Sequence, residues 1–115
     1  MERVAASHDR SDGARDFATL EFSGTKRSYT FDRDKVDYGM VRVWEVTGQV
    51  RVTALARVWG WHDFTQVGDI TVCGGGDEVL EVKTIDRTCD QLNRVLVEAL
   101  SPEAKCQFEF ISWDR

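Results

Sequence analysis

Polar and apolar residues alternate most strictly between Tyr38 and His62. Val41, Val43, Val50, Val52, Ala54, Ala56 and Val58 form one lane, and Arg42, Trp44, Arg51, Leu55, Arg57, Trp59 and Trp61 form the other. A period of two, rich in β-branched and aromatic residues on both sides of Thr47-Gly48, predicts one long β-hairpin with a single buried face. With Thr47-Gly48 as a two-residue loop, Val46 faces Gln49, Val43 faces Val52, Val41 faces Ala54 and Trp44 faces Arg51. A one-residue slip would mix the two lanes along the whole ribbon. Thr is a weaker turn former than Asn or Asp, so a bulged three-residue loop is the alternative.

The same reading extends to either side. Ala18, Leu20 and Phe22 alternate with Thr19 and Glu21, and Tyr29 and Phe31 with Ser28 and Thr30. A loop at Ser23-Gly24-Thr25-Lys26 makes these a first hairpin, with Leu20 facing Tyr29 and Ala18 facing Phe31. Ile70 and Val72 open a third pair that turns at Gly74-Gly75-Gly76-Asp77 and returns through Leu80 and Val82. A helix is predicted next. Thr88-x-x-Gln91 has the form of a capping box, Asp90 suits a helix N-terminus, and Leu92, Val95, Leu96, Ala99 and Leu100 recur at i, i+3, i+4, i+7 and i+8. That stripe leaves Asn93, Arg94 and Glu98 facing out. Ser101-Pro102 ends the helix, and Cys106 to Trp113 forms a last strand. Its Phe108 and Phe110 take one face, and Gln107, Glu109, Ile111 and Trp113 the other.

The fold expected from these elements is α+β. It is a mostly antiparallel, twisted sheet of about six to seven strands, made of three consecutive hairpins and a C-terminal strand, with one helix packed on one face. Residues 1–16 show no hydrophobic period and read as a flexible arm, leaving 17–115 as a single domain. At 115 residues, with 42% apolar and 30% charged side chains, the chain can build its own core. No apolar run approaches the roughly 20 residues of a membrane span, and the charged first residues lack a signal-peptide core, so a cytoplasmic location is expected. Cys73, Cys89 and Cys106 are odd in number and widely spaced, which fits reduced structural thiols better than disulfides or a zinc site.

Charge changes the functional picture. Residues 63–90 hold Asp63, Asp69, Asp77, Glu78, Glu81, Asp86 and Asp90 against only Lys83 and Arg87, a local excess equal to the chain's formal −5. Phosphate binding needs clustered Lys and Arg, so direct contact with nucleic acid is disfavoured. Gly74-Gly75-Gly76 is followed by Asp77, Glu78 and a strand, which suits a hairpin turn and not a phosphate loop. His62-Asp63 has no cysteine in a nucleophile context beside it, and one His with scattered acids is poor material for a metal site. No catalytic residue, metal or cofactor is assigned. Trp and Arg are enriched at interface hot spots, because each offers large contact area and a polar handle.

The candidate partner-binding residues are therefore Arg42, Trp44, Arg51, Arg57, Trp59 and Trp61 on one face, with Asp77, Glu78, Glu81, Asp86 and Asp90 as an acidic surface that imitates phosphates. The function expected is a non-enzymatic interaction domain, monomer or homodimer. It would act as a small inhibitor or immunity-type protein, for example a phage- or plasmid-encoded blocker of a host nucleic-acid-handling defence complex. A small-ligand or nucleotide-binding domain and a structural subunit of a larger assembly are the alternatives.

Overall fold

The computed structural model describes residues 14–34, 38–58, 63–83 and 91–113. They form eight strands: β1 (Ala14–Phe22), β2 (Ser28–Asp34), β3 (Tyr38–Thr47), β4 (Gln49–Val58), β5 (Thr65–Cys73), β6 (Glu78–Lys83), β7 (Gln91–Ala99) and β8 (Ala104–Trp113). The strands build two four-stranded sheets, a front sheet in the order β1-β8-β3-β6 and a back sheet in the order β2-β7-β4-β5. Every pairing is antiparallel. Every connection except β4 to β5 carries the chain from one sheet to the other, the strand order of an eight-stranded jelly roll.

The α+β expectation is thus corrected: the fold is all-β, with no helix among the described residues. The residues assigned to the helix from Gln91 onward form β7, in the interior of the back sheet. Its buried residues are Asn93, Val95 and Val97, a period of two, and Asn93 is fully buried where the helical stripe would have turned it to solvent. The segment satisfies both periods over a short length, and pairing with β2 and β4 on its two sides decides between them. Thr88, Asp90 and most of residues 1–16 lie outside the described residues; β1 begins at Ala14.

The three expected hairpins are corrected as well. β1 pairs with β8 and β2 with β7; β3 lies between β8 and β6; β4 lies between β7 and β5. The two lanes of the central segment are nonetheless real. Val41 and Val43 point inward from the front sheet, and Val50, Val52, Ala54 and Ala56 point inward from the back sheet, all at 0% exposure. They meet across the core instead of side by side in one sheet. This arrangement lets each sheet cover the other, so no helix is needed to close the apolar face.

The corner between β3 and β4 makes the switch. Glu45 adopts a positive φ of 49° within a break in the β3–β8 register between Trp44 and Thr47. That extra residue resets the alternation so that Val46 is buried. Gly48, at φ 76°, then turns the chain. The amide of Gln49 donates to Ser101 Oγ at 3.0 Å, and the amide of Leu100 donates to the Gln49 carbonyl at 2.8 Å, which fastens the corner to the β7–β8 connection. Between the sheets, Phe31 stacks on Phe108 with ring centroids 4.3 Å apart, and Phe22 meets Tyr29 edge to face at 5.2 Å.

Candidate functional site

With the valines inside, the residues of opposite parity on β1, β8, β3 and β6 form the outer face of the front sheet. Strand register sets them in rows. Arg15, Ile111, Met40 and Glu81 make one row, and Phe17, Glu109, Arg42 and Val79 the next. Thr19, Gln107 and Trp44 follow, then Glu21, Lys105 and Thr47. The last row continues into an open groove of about 640 Å3, bordered by Phe22, Pro102 and Glu103.

At the middle of this face, Phe17 and Trp44 stand in adjacent rows on strands about 9.5 Å apart. Their ring centroids are only 5.8 Å apart, tilted by 32°, so the two rings lean together over β8. Polar groups hold both in place. The Arg42 guanidinium lies 4.4 Å above the Trp44 ring and forms a bidentate pair with Asp77, Nε to Oδ1 at 3.0 Å and Nη2 to Oδ2 at 2.6 Å. Such a fork fixes the guanidinium plane and therefore the stack beneath it. Arg15 pairs with Glu109 and sits 5.5 Å from the Phe17 ring, while Thr19 Oγ1 donates to Gln107 Oε1 at 3.0 Å.

The hydrogen bond from Arg42 holds the Asp77 carboxyl below its ordinary pKa of 3.8. The group is ionised in the native state at neutral pH, and the clamp is lost only as pH falls through that lowered value. Tyr38, 39% exposed, donates to Glu81 Oε2 at 3.2 Å. Partial burial, and then this bond, push its phenol above the ordinary 10.0, so it remains a neutral donor.

Of the residues singled out from the sequence, Arg42, Trp44, Asp77 and Glu81 come together on this face. Glu78 shares the parity of Leu80 and Val82 and stands exposed at the rim of the sandwich. Arg51 and Arg57 belong to the outer face of the back sheet, on the opposite side of the molecule, because β3 and β4 lie in different sheets. There Arg51 pairs with Asp69 at 3.1 Å, and Arg57 and Arg94 lie 5.2 and 4.4 Å from the Phe64 ring. Trp59, Trp61, His62, Asp86, Cys89 and Asp90 lie outside the described residues. Sequence reasoning missed Arg15, Phe17, Thr19, Gln107 and Glu109 as site residues. The parity of the last strand already grouped Gln107 with Glu109, but nothing local places that strand between β1 and β3.

Among the described residues, no group of three or more His, Cys, Asp or Glu is placed to hold a metal ion, and no helix is long and apolar enough to cross a membrane. Cys73 is exposed and Cys106 buried, both as free thiols.

No family model and no curated protein matches this chain. Among solved structures, the Yersinia pseudotuberculosis-derived mitogen is similar over 90% of this chain and 87% of its own, at 11% identity and a TM-score of 0.58. TmCBM61, whose structure is in complex with beta-1,4-galactotriose, is similar over 87% of this chain and 71% of its own, at 14% identity and a TM-score of 0.48. The capsular polysaccharide assembling protein CapF from Staphylococcus aureus is similar over 97% of this chain and 31% of its own, at 10% identity and a TM-score of 0.44. The likeness to the mitogen is one of fold, and the two looser ones carry no functional argument.

Proposed function

We propose that this chain is a non-enzymatic interaction domain of the cytoplasm that acts by occupying the surface of a protein partner, in the manner of a small inhibitor, with the outer face of its front sheet. The observation that carries the reading is the Phe17–Trp44 pair, two large half-buried rings held by Arg42, Asp77, Arg15 and Glu109. Side chains fixed before binding lose little entropy on association, which is the condition for a hot spot. Tyr38, Met40, Ile111 and Val79 surround the pair with the aromatic, Met and aliphatic surface that protein interfaces favour.

The charges on this face point to the same class of partner. Arg42 and Arg15 each hold a carboxylate of their own chain. A phosphate backbone would have to displace Asp77 and Glu109 to reach them, whereas a protein can cover the rings with both pairs left intact.

The test is affinity capture from a host lysate with the intact chain and with Trp44→Ala and Phe17→Ala, each first shown to fold by circular dichroism. Arg57→Ala, on the opposite face, is the control. A partner held by the intact chain and by Arg57→Ala but lost by both front-face variants supports the reading. A partner released by Arg57→Ala and kept by the other two overturns it.

A further inference from the structure

We infer that the outer edge of β1 pairs with the β1 edge of a second copy, giving a two-fold dimer in which the two front sheets become one continuous sheet. This edge borders the Phe17–Trp44 face and shares Arg15, Phe17 and Thr19 with it, but the inference rests on the pairing of β1 and not on what that face binds.

β1 is the outermost strand of the front sheet, and its nine residues pair with β8 rung for rung without a bulge. Among the described residues no strand lies against its other edge. Natural edge strands are blunted by short length, proline, lysine or a bulge. β6 has only six residues, and the β4–β5 register shifts at Ala54/Leu55 opposite Gly68 and Gln66. β1, Ala-Arg-Asp-Phe-Ala-Thr-Leu-Glu-Phe, has no proline, lysine or bulge. Its one inward charge, Asp16, is paired with Arg33 across the sandwich.

Charge complementarity selects the occupant and the register. Two antiparallel copies of β1 must keep inward residues opposite inward residues, or both cores are opened. Of the registers that do so, the one centred on Ala18 pairs the whole strand, Ala14 to Phe22. In this register Arg15 falls opposite Glu21 of the other copy, twice by symmetry, and Phe17 falls opposite Thr19. Shifting the centre by one residue either way shortens the pairing and removes both opposite-charge pairs. Arg15 and Glu21 are free to reach, with side chains 45% and 71% exposed. Arg15 already touches Glu109, and Glu21 lies 3.6 Å from Lys105. Glu109, Arg15, Glu21 and Lys105 therefore alternate in sign across the two-fold axis. A small residue, Ala18, sits on that axis.

The test uses the full chain and two single variants, Arg15→Glu and Glu21→Arg, in sedimentation equilibrium and native mass spectrometry over a wide range of concentration. The intact chain is expected to dimerise. Each variant alone sets like charges opposite one another at both pairs and is expected to self-associate at least about tenfold more weakly. Mixing the two variants restores both opposite-charge pairs, so a heterodimer of intermediate mass should form with near-native affinity. Contacts to Glu109 and Lys105 within a copy are the same alone and mixed, so only a β1–β1 contact predicts the rescue. An intact chain that stays monomeric, single variants that dimerise like the intact chain, or a mixture that forms no heterodimer would each overturn the inference.

Discussion

Gly48 is the residue on which the sandwich turns. A Cβ built there falls 2.2 Å from the Glu103 carbonyl oxygen and 2.4 Å from Ser101 Oγ, and the backbone is already at φ 76°. Gly75 has a similar φ of 81° with nothing within 4 Å. The pair separates backbone strain from collision. Gly75→Ala should cost about 1–2 kcal/mol, from left-handed strain alone, and Gly48→Ala about 2–4 kcal/mol, because the β7–β8 connection must also move. Urea unfolding of the two variants measures the difference. The thiols divide as sharply. Burial pushes Cys106 up to about 12, which leaves almost no thiolate near neutrality. In a Cys89→Ser background, Ellman's reagent should titrate one thiol, Cys73, in the native protein and both after unfolding. Thr47-Gly48 was legible in the sequence as a turn. Which element it turns toward was not, because Ser101 and Glu103 lie more than fifty residues away.

At the scale of elements, alternation reports which face a residue takes and is silent about the neighbouring strand. The inward lane of β3, β4 and β8 was therefore readable: Val41, Val43, Val50, Val52, Phe108 and Phe110 are all buried. The pairing was not, since hairpins join strands that are adjacent in sequence and here only β4 and β5 are so joined. Most of the candidate face was hidden for the same reason. Trp44 and Arg42 stand out in their own strand, but Phe17, Thr19, Gln107 and Glu109 join them only through β1–β8–β3 pairing. β7 misled more directly, as its leucines and valines obey both periods until the fully buried Asn93 is placed. A strand there makes a prediction that a helix reverses. Val97→Ala should cost about 2 kcal/mol and Leu96→Ala about half that or less, because Val97 lies in the core and Leu96 on the half-covered outer face. Thermal or urea melts of the two variants decide it.

At the scale of the molecule, strands from the two ends of the chain lie side by side, with Ala14 opposite Ser112 and Phe22 opposite Ala104. Contacts of such long sequence separation close only after most of the chain is gathered, so refolding should fall in the slow, millisecond-to-second class of all-β domains, a rate stopped-flow fluorescence can follow through the tryptophans. The same adjacency sets how the molecule bears load. Ala14 and Ser112 sit at the same end of their antiparallel pair, so tension on the chain's two ends peels β1 from β8 one rung at a time, and the resisting force is that of a single rung. Anchoring instead at Arg15 and Lys105, at opposite ends of the pair, loads every rung together in shear. Pulled by its ends in an optical trap, the domain should open like a zipper at low force; pulled between Arg15 and Lys105, it should hold to a markedly higher one.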